Sequence, residues 1–475
     1  MDAAVRESEA RFATYVESLA GVLGHADRVG PLMDYCAGLL MPGERKSVEP
    51  IAAMVAPARA AAEHQSLLHF VGQSPWSDEA MLAKVRELTA PAFAAQGGVE
   101  AWIVDDTGFQ KKGSHSVGVA RQYCGRLGKT DNCQIAVTLS IANHHMSLPI
   151  AYRLYLPEAW AEDAQRRGKV HVPEDVEFQT KPQIALSQIE AAAKAGVARG
   201  VVLADAGYGN DGALRAGVTA LGLTYAVGVQ STLSVWPPGE EPLPPKPWSG
   251  RGRKPWRVRR DADHLPISAK DLATRLPAEA WKEVEWREGS NQILSSRFAA
   301  LRIRPASRDH ELAEPHPIEW LVVEWPEGEP EPTKYWLSTL PEDTPLEVLV
   351  DTIKLRWRIE RDYEELKSEL GLAHFEGRGW RGFHHHASLC IAAYGFLILE
   401  RSAFPPSGRW RRKKPAVSGR TRSSRAADPS RKTCRQLDRH HAKTFDDRPR
   451  QIALSMPLLS RRVQKTQLQC AFVTQ

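Results

Sequence analysis

Trp102-Ile103-Val104-Asp105-Asp106-Thr107-Gly108 is a short apolar run that ends in two carboxylates and a glycine-containing turn. Val201-Val202-Leu203-Ala204-Asp205-Ala206-Gly207-Tyr208 repeats the arrangement further along the chain. Apolar runs of this length, bounded by turn residues, predict buried strands. In α/β sheets ligands gather at the carboxyl ends of strands, so both acidic positions fall where chemistry is expected. Taken singly, an Asp after a strand reads equally well as a turn or helix cap.

Working outward, Val117 to Tyr123, Gln134 to Ile141 and Pro149 to Leu156 read as further strands, with a helix from roughly Gln183 to Ala195 and a strand from Thr224 to Val229. Strands alternating with helices predict an α/β core containing parallel pairs. Before it, residues 1–95 read as helical: Phe12, Tyr15, Val16, Leu19, Val22 and Leu23 recur at helical spacing, and Ser77-Asp78-Glu79 has the character of a helix start. Gly43-Glu44-Arg45-Lys46 forms a basic turn there, either a solvated loop or a DNA contact. Residues 230–340 interrupt the core. They hold a Pro-, Gly- and Arg-rich stretch, Leu243 to Arg260, followed by Trp281 to Trp286, Ser296 to Ile303, Trp320 to Trp325 and Tyr335 to Leu337, which read as antiparallel strands. A long helix is predicted from about Pro345 to Leu370 and another from about His384 to Arg401.

The net charge of +6 conceals two opposite balances. From Arg401 onward 19 Lys and Arg stand against 4 Asp and Glu, which leaves 44 basic and 53 acidic residues in the preceding 400. A nucleic-acid reading therefore rests on local clusters rather than on overall charge. Residues 403–475 are expected to be a basic, disordered tail. No apolar run approaches the ~18 residues of a membrane span. Met1 to Glu9 lacks the basic-then-apolar start of a secretion signal, so a cytoplasmic location is expected. Six scattered cysteines without a C-x-x-C pair argue against a zinc ribbon or a disulfide framework.

A third acidic position changes the weight of the first two. In Leu355-Arg356-Trp357-Arg358-Ile359-Glu360-Arg361-Asp362-Tyr363-Glu364-Glu365-Leu366-Lys367, a stripe of Leu355, Ile359, Tyr363, Leu366 and Leu370 can pack on the sheet. Arg356, Glu360 and Lys367 share a neighbouring face, although an ordinary i,i+4 ion pair accounts for the first two equally well. Three carboxylates brought together repel, and one would stay protonated. Two Mg²⁺ ions, with Mn²⁺ able to substitute, would relieve this, because hard cations favour oxygen ligands and can activate an attacking oxygen and stabilise a leaving one.

Asp105-Asp106-Thr107, Asp205-Ala206-Gly207-Tyr208 and Arg356-Trp357-Arg358-Ile359-Glu360 resemble the three motifs of DDE transposases from bacterial insertion sequences. In the subgroup with a β-rich insertion the third motif reads Y-x2-R-x3-E-x6-K. Arg356, Glu360 and Lys367 match it, while Ile353 stands at the Tyr position. The resemblance implies an RNase H-like catalytic core (residues 96–229 and 341–402) with an inserted β-rich subdomain at 230–340, preceded by a helical DNA-binding domain at 1–95. It implies Mg²⁺-dependent strand cleavage and strand transfer on double-stranded DNA, at terminal inverted repeats and target DNA. A homodimer or higher oligomer, associated with the nucleoid when DNA-bound, is implied as well. Asp105, Asp205 and Glu360 would be the catalytic metal ligands, and Arg356 and Lys367 would hold phosphates.

Two alternatives stay open. The first carboxylate is Asp105 or Asp106, which point to opposite faces of a strand; the motif form favours Asp105. The third is Glu360 or Glu364, one turn apart, and the match to Arg356 and Lys367 favours Glu360. Further DNA contacts are expected from Lys111 and Lys112, and from Arg251, Arg253, Lys254 and Arg257 interleaved with Trp248 and Trp256, which would suit phosphate binding and base stacking. His384-His385-His386 reads as a surface helix start, since adjacent helical residues diverge too far to share a metal. A catalytically silent DNA-binding regulator and a host RNase H-like nuclease are the competing functions.

Overall fold

The computed structural model describes residues 3–287 and 293–404. The basic tail from 405 onward, with Cys434 and Cys470, lies outside the described residues.

Five α-helices precede the first strand: Ala3–Ala20, Val29–Leu40, Val48–Val55, Ala60–Gly72 and Asp78–Ala95. The apolar stripe of the first is buried at Phe12, Tyr15, Val16 and Leu19. Ser77 caps the fifth by accepting from the Ala80 amide, and Asp78 and Glu79 in its first turn suit the positive end of the helix dipole. These helices gather around Trp380–Ala403, which is buried along nearly its whole length, as a helix without a polar face must be. Gly395 makes the crossing possible: a Cβ there would stand 2.8 Å from both the Tyr15 hydroxyl and Val85 Cγ1.

Twelve strands form one sheet. They are β1 (Ala101–Gln110), β2 (Ala120–Cys124), β3 (Lys129–Ala142), β4 (Ser147–Leu154), β5 (Val201–Ala204), β6 (Tyr225–Val229), β7 (Ser234–Trp236), β8 (Ile267–Ser268), β9 (Lys282–Arg287), β10 (Ile293–Pro305), β11 (Glu319–Trp325) and β12 (Lys334–Ser338). β1 pairs antiparallel with the long β3, whose other edge takes β4 and β2, and parallel with β5, which is parallel to β6. The strands of the 230–340 segment continue this sheet, because β12 pairs antiparallel with β6 and leads on to β11 and β10.

Alternation along β1 divides two cores. Trp102 and Val104 face the side of the helix Lys181–Lys194 and the N-terminal helices, whereas Ala101 and Ile103 pack with Leu203, Ala226, Leu349, Val350, Ile353, Ile359 and Tyr363. The helical run after β12 therefore closes one face of the sheet, and its stripe of Leu355, Ile359, Tyr363, Leu366 and Leu370 is buried as its spacing predicts.

That run is not one regular helix. Leu346–Lys354 passes through a 3₁₀ turn at Leu355–Trp357 into Arg358–Glu364, then into a π turn at Glu365–Glu369. The π turn shifts Lys367 out of the phase that a continuous helix would give it, and such turns often mark functional positions. Two further expectations are corrected. His384, His385 and His386 are core residues rather than surface, each engaged with the main chain: His384 with Trp380 O and the Leu154 amide, His385 with Val71 O and Trp76 O, and His386 with Gly371 O. Burial pushes His385 and His386 down to about 4, so both are neutral. In the Gly43-Glu44-Arg45-Lys46 turn the first three residues are exposed, but Lys46 is buried and donates to the carbonyls of Leu39 and Glu369, so it is neither solvated nor an exposed DNA contact.

Candidate active site

β1 carries Asp105 on the face of Ala101 and Ile103, toward the helical run that bears Arg356 and Glu360. Arg356 Nη1 lies 3.2 Å from Asp105 Oδ2, and Arg356 Nη2 lies 3.6 Å from Glu360 Oε1. The Asp105 side chain is 16% exposed and that of Glu360 is 71% exposed, so one carboxylate is sunk in the sheet and the other stands at the rim. Burial pushes the Asp105 carboxyl up to about 7; Arg356 opposes the shift, and Asp205 and Asp106 add to it. Burial works against the charge of Arg356, yet Asp105, Asp205 and Glu360 together hold it above its ordinary pKa. All three acidic positions thus act on one guanidinium.

Asp205 follows β5 and caps the short turn Ala206–Gly209, its Oδ1 accepting from the Gly207 amide at 2.9 Å. The turn lies flush on β6, where a Cβ at Gly209 would meet Gly228 O at 2.0 Å. Arg215 donates to Gly209 O and Asn210 to Ala206 O, so the backbone around Asp205 is fixed from several sides.

Asp106 faces the other way. Its Oδ2 accepts from Lys181 Nζ at 2.6 Å and from the Tyr208 hydroxyl at 3.4 Å. Lys181 was not singled out in the sequence; the Thr180/Gln183 capping box, which places Lys181 in the first turn of Lys181–Lys194, was the available signal. Glu364 is exposed, one turn beyond Glu360.

The expected phosphate contacts are placed as follows. Lys367 donates to Gly108 O at 3.1 Å and lies 5.0 Å from the Phe109 ring centroid. Lys111 donates to Phe375 O at 2.8 Å, and burial lowers its pKa against the pull of Glu376. It borders an open groove of about 690 Å³ shared with Arg45, Gln110, His374 and Glu376. Lys112 is exposed, as are Arg251, Arg253, Lys254 and Arg257, with Arg257 over the ring of the exposed Trp256 at 4.9 Å. No three acidic, His or Cys side chains among the described residues stand as a ready-made metal cluster. The donor set nonetheless suits a hard divalent cation: Asp105 and Glu360 pair with one guanidinium, Asp205 acts on the same group, and burial already works against the Asp105 charge.

A mixed sheet with one acidic group on β1 just past its parallel pairing with β5, a second directly after β5 and a third on a covering helix fits the class of metal-dependent phosphodiester-cleaving proteins. Residues 18–293 match the family model of the DDE superfamily endonucleases, and the chain belongs to that family. The matched residues include Asp105 and Asp205 and end before Glu360. Nucleases of this superfamily use divalent metal ions. The chain is also 34% identical over 195 residues to the "Probable transposase for insertion sequence element IS701" of Microchaete diplosiphon, a match covering 41% of this chain and 47% of that protein. The chain thus spans about half the length of the curated relative it matches. No helix among the described residues is long and apolar enough to cross a membrane.

Proposed function

We propose that this chain is the transposase of an insertion sequence, which binds the element's ends and catalyses strand cleavage and strand transfer. The observation that carries the reading is that Asp105 and Glu360, far apart in sequence and on different elements, are held on the one guanidinium of Arg356, within the field of Asp205. Asp105, Asp205 and Glu360 would hold two Mg²⁺ ions, which when bound supply the positive charge that activates an attacking oxygen and steadies a leaving one. Asp106 is taken up by Lys181 and Tyr208 on the opposite face, which supports Asp105 as the first ligand. The tie between Glu360 and Arg356 supports Glu360 over Glu364 as the third.

The chain's own residues supply the rest. Asp205, fixed by the Gly207 amide, keeps its second carboxylate oxygen available, while Glu360 at the rim can turn inward. Arg356, once released from Asp105, would reach a phosphate beside the reacting one, and Lys367 above Gly108 would neutralise the strand entering the site. Lys111 and Lys112 continue that path. Arg251, Arg253, Lys254 and Arg257, with Trp248 and Trp256, offer cations and exposed rings to an unpaired strand. The order β4-β3-β1-β5-β6, three antiparallel strands followed by two parallel ones, supports an RNase H-like core over 96–229 and 341–402. The 1–95 helices would bind DNA, and residues 230–340 would form the insertion. Inverted-repeat and target DNA are the partners, and a homodimer or larger oligomer would pair two ends.

The test is a cleavage and strand-transfer assay on a DNA fragment from the gene's own flanks, with Mg²⁺ or with EDTA. Joined products that need the metal, and that Asp205→Asn abolishes while retaining end binding, are the expected result. Cleavage without joining would replace the transposase reading with a nuclease, and binding without cleavage would replace it with a regulator.

A further inference from the structure

Positions two apart on a helix lie on nearly opposite faces, so Arg358 and Asp362 are turned away from Glu360 and share a face with each other. On that side a cavity of about 100 Å³ is lined by Arg358, Arg361, Arg401, Ser147, Asp362 and Tyr394 among others. Arg358 is held against the ring of Trp357 at 4.8 Å and makes no hydrogen bond or ion pair to another described residue; its Nε is buried without a partner. Besides burial, a second guanidinium, Arg361, disfavours its charge, while the carboxyls of Asp362 and Glu365 favour it. Arg361 and Arg401 are anchored through opposite oxygens of Glu365, at 3.1 and 2.6 Å. On the floor, Asp362 Oδ1 accepts from Ser147 and Tyr394, whereas its Oδ2 is buried without a partner.

Three guanidiniums therefore face two carboxyls, and one of those, Glu365, is already shared between two arginines. The formal surplus is one positive charge, and the half-buried Arg358 is the guanidinium without an ion pair among the described residues. A group with a single negative charge and several acceptor oxygens would match the unpaired Arg358, with the Asp362 carboxyl opposing its hold, and the cavity has room for one such group. Guanidinium forks match phosphate oxygens in geometry.

We propose that this cavity seats one backbone phosphodiester of bound DNA, on the side of the helix opposite the three-carboxylate site. The inference rests on the reading of the chain as a DNA-acting protein. The helix Arg358–Glu364 then touches DNA on two faces, so that strand placement at Glu360 is coupled to a grip outside the reacting centre. Arg358 lies outside the Arg356/Glu360/Lys367 pattern, and no feature of its spacing marks it.

The test is the salt dependence of binding to a short duplex by the full chain. Arg358→Gln is expected to lower the slope of log K against log salt by about 0.9, the loss of one phosphate contact, with an unchanged thermal midpoint. Arg358→Lys should recover part of that slope. Asp362→Asn, which removes the opposing charge, should tighten duplex binding several-fold, a gain that a merely structural residue would not give. A folded Arg358→Gln variant with the wild-type slope overturns the proposal, as does an Asp362→Asn variant that binds no more tightly. Wild-type protein that shows no salt-dependent duplex binding would instead remove the DNA reading on which the proposal rests.

Discussion

Arg356 Nη1 lies 3.2 Å from Asp105 Oδ2, which joins residues 251 positions apart and brings the helical run after β12 onto the first strand. The guanidinium that a linear motif assigns to phosphate is here the counter-charge of Asp105, whose side chain is far less exposed than that of Glu360. It stands where positive charge is wanted, and a divalent ion would compete with it.

Replacing Arg356 with Gln should therefore strengthen Mn²⁺ binding several-fold, measured by calorimetry on the DNA-free protein, while weakening binding to cleaved DNA ends. Weaker Mn²⁺ binding in the variant would mean that the guanidinium supports the metal site rather than competing with it.

His144, in the turn between β3 and β4, joins Glu100 through Nδ1 and Asp351 through Nε2, the latter at 3.0 Å. Hydrogen bonding to Asp351 and Glu100 outweighs burial and pushes the imidazole up to about 9. Because the folded pKa is raised, this contribution is fully present below the ordinary histidine pKa and is lost as pH rises through about 9. Asp351 is well exposed, which screens that half of the bridge. His144→Ala should cost about 1–2 kcal/mol at pH 6 and little at pH 10. Denaturant unfolding at the two pH values checks this, and an equal cost at both would assign the loss to packing instead.

Gly209→Ala should displace the turn that carries Asp205, because the new Cβ would collide with Gly228 O. A cost of about 1–3 kcal/mol is expected, as for other overpacked sites, together with loss of cleavage. A variant with unchanged stability and activity would show that the turn does not need its close seat on β6.

The strand before Asp205 was legible because it is a local apolar run closed by a turn. The expected turn after Asp105 is absent: β1 continues to Gln110, since pairing with the long β3 carries on through Asp105 to Gly108. The Leu355–Leu370 stripe was legible because helical periodicity survives the 3₁₀ and π turns well enough to bury it. What stayed hidden depends on distant partners. The choice between Asp105 and Asp106 turns on Arg356 and Lys181, which come from opposite faces of the sheet. His384, His385 and His386 look like surface polarity in a linear reading; their burial rests on carbonyls at Val71, Trp76, Trp380 and Gly371, three of which lie in other elements. The junction of the 230–340 strands with the core sheet is a pairing between β6 and β12, more than 100 residues apart, which alternation within either strand does not reveal.

The most direct measurement is metal-dependent cleavage of a terminal-repeat substrate by wild-type protein and by Asp105→Asn, Asp106→Asn and Glu360→Ala. The account predicts that Asp105→Asn and Glu360→Ala abolish cleavage while Asp106→Asn retains it. Full activity in Asp105→Asn, or loss confined to Asp106→Asn, would contradict it.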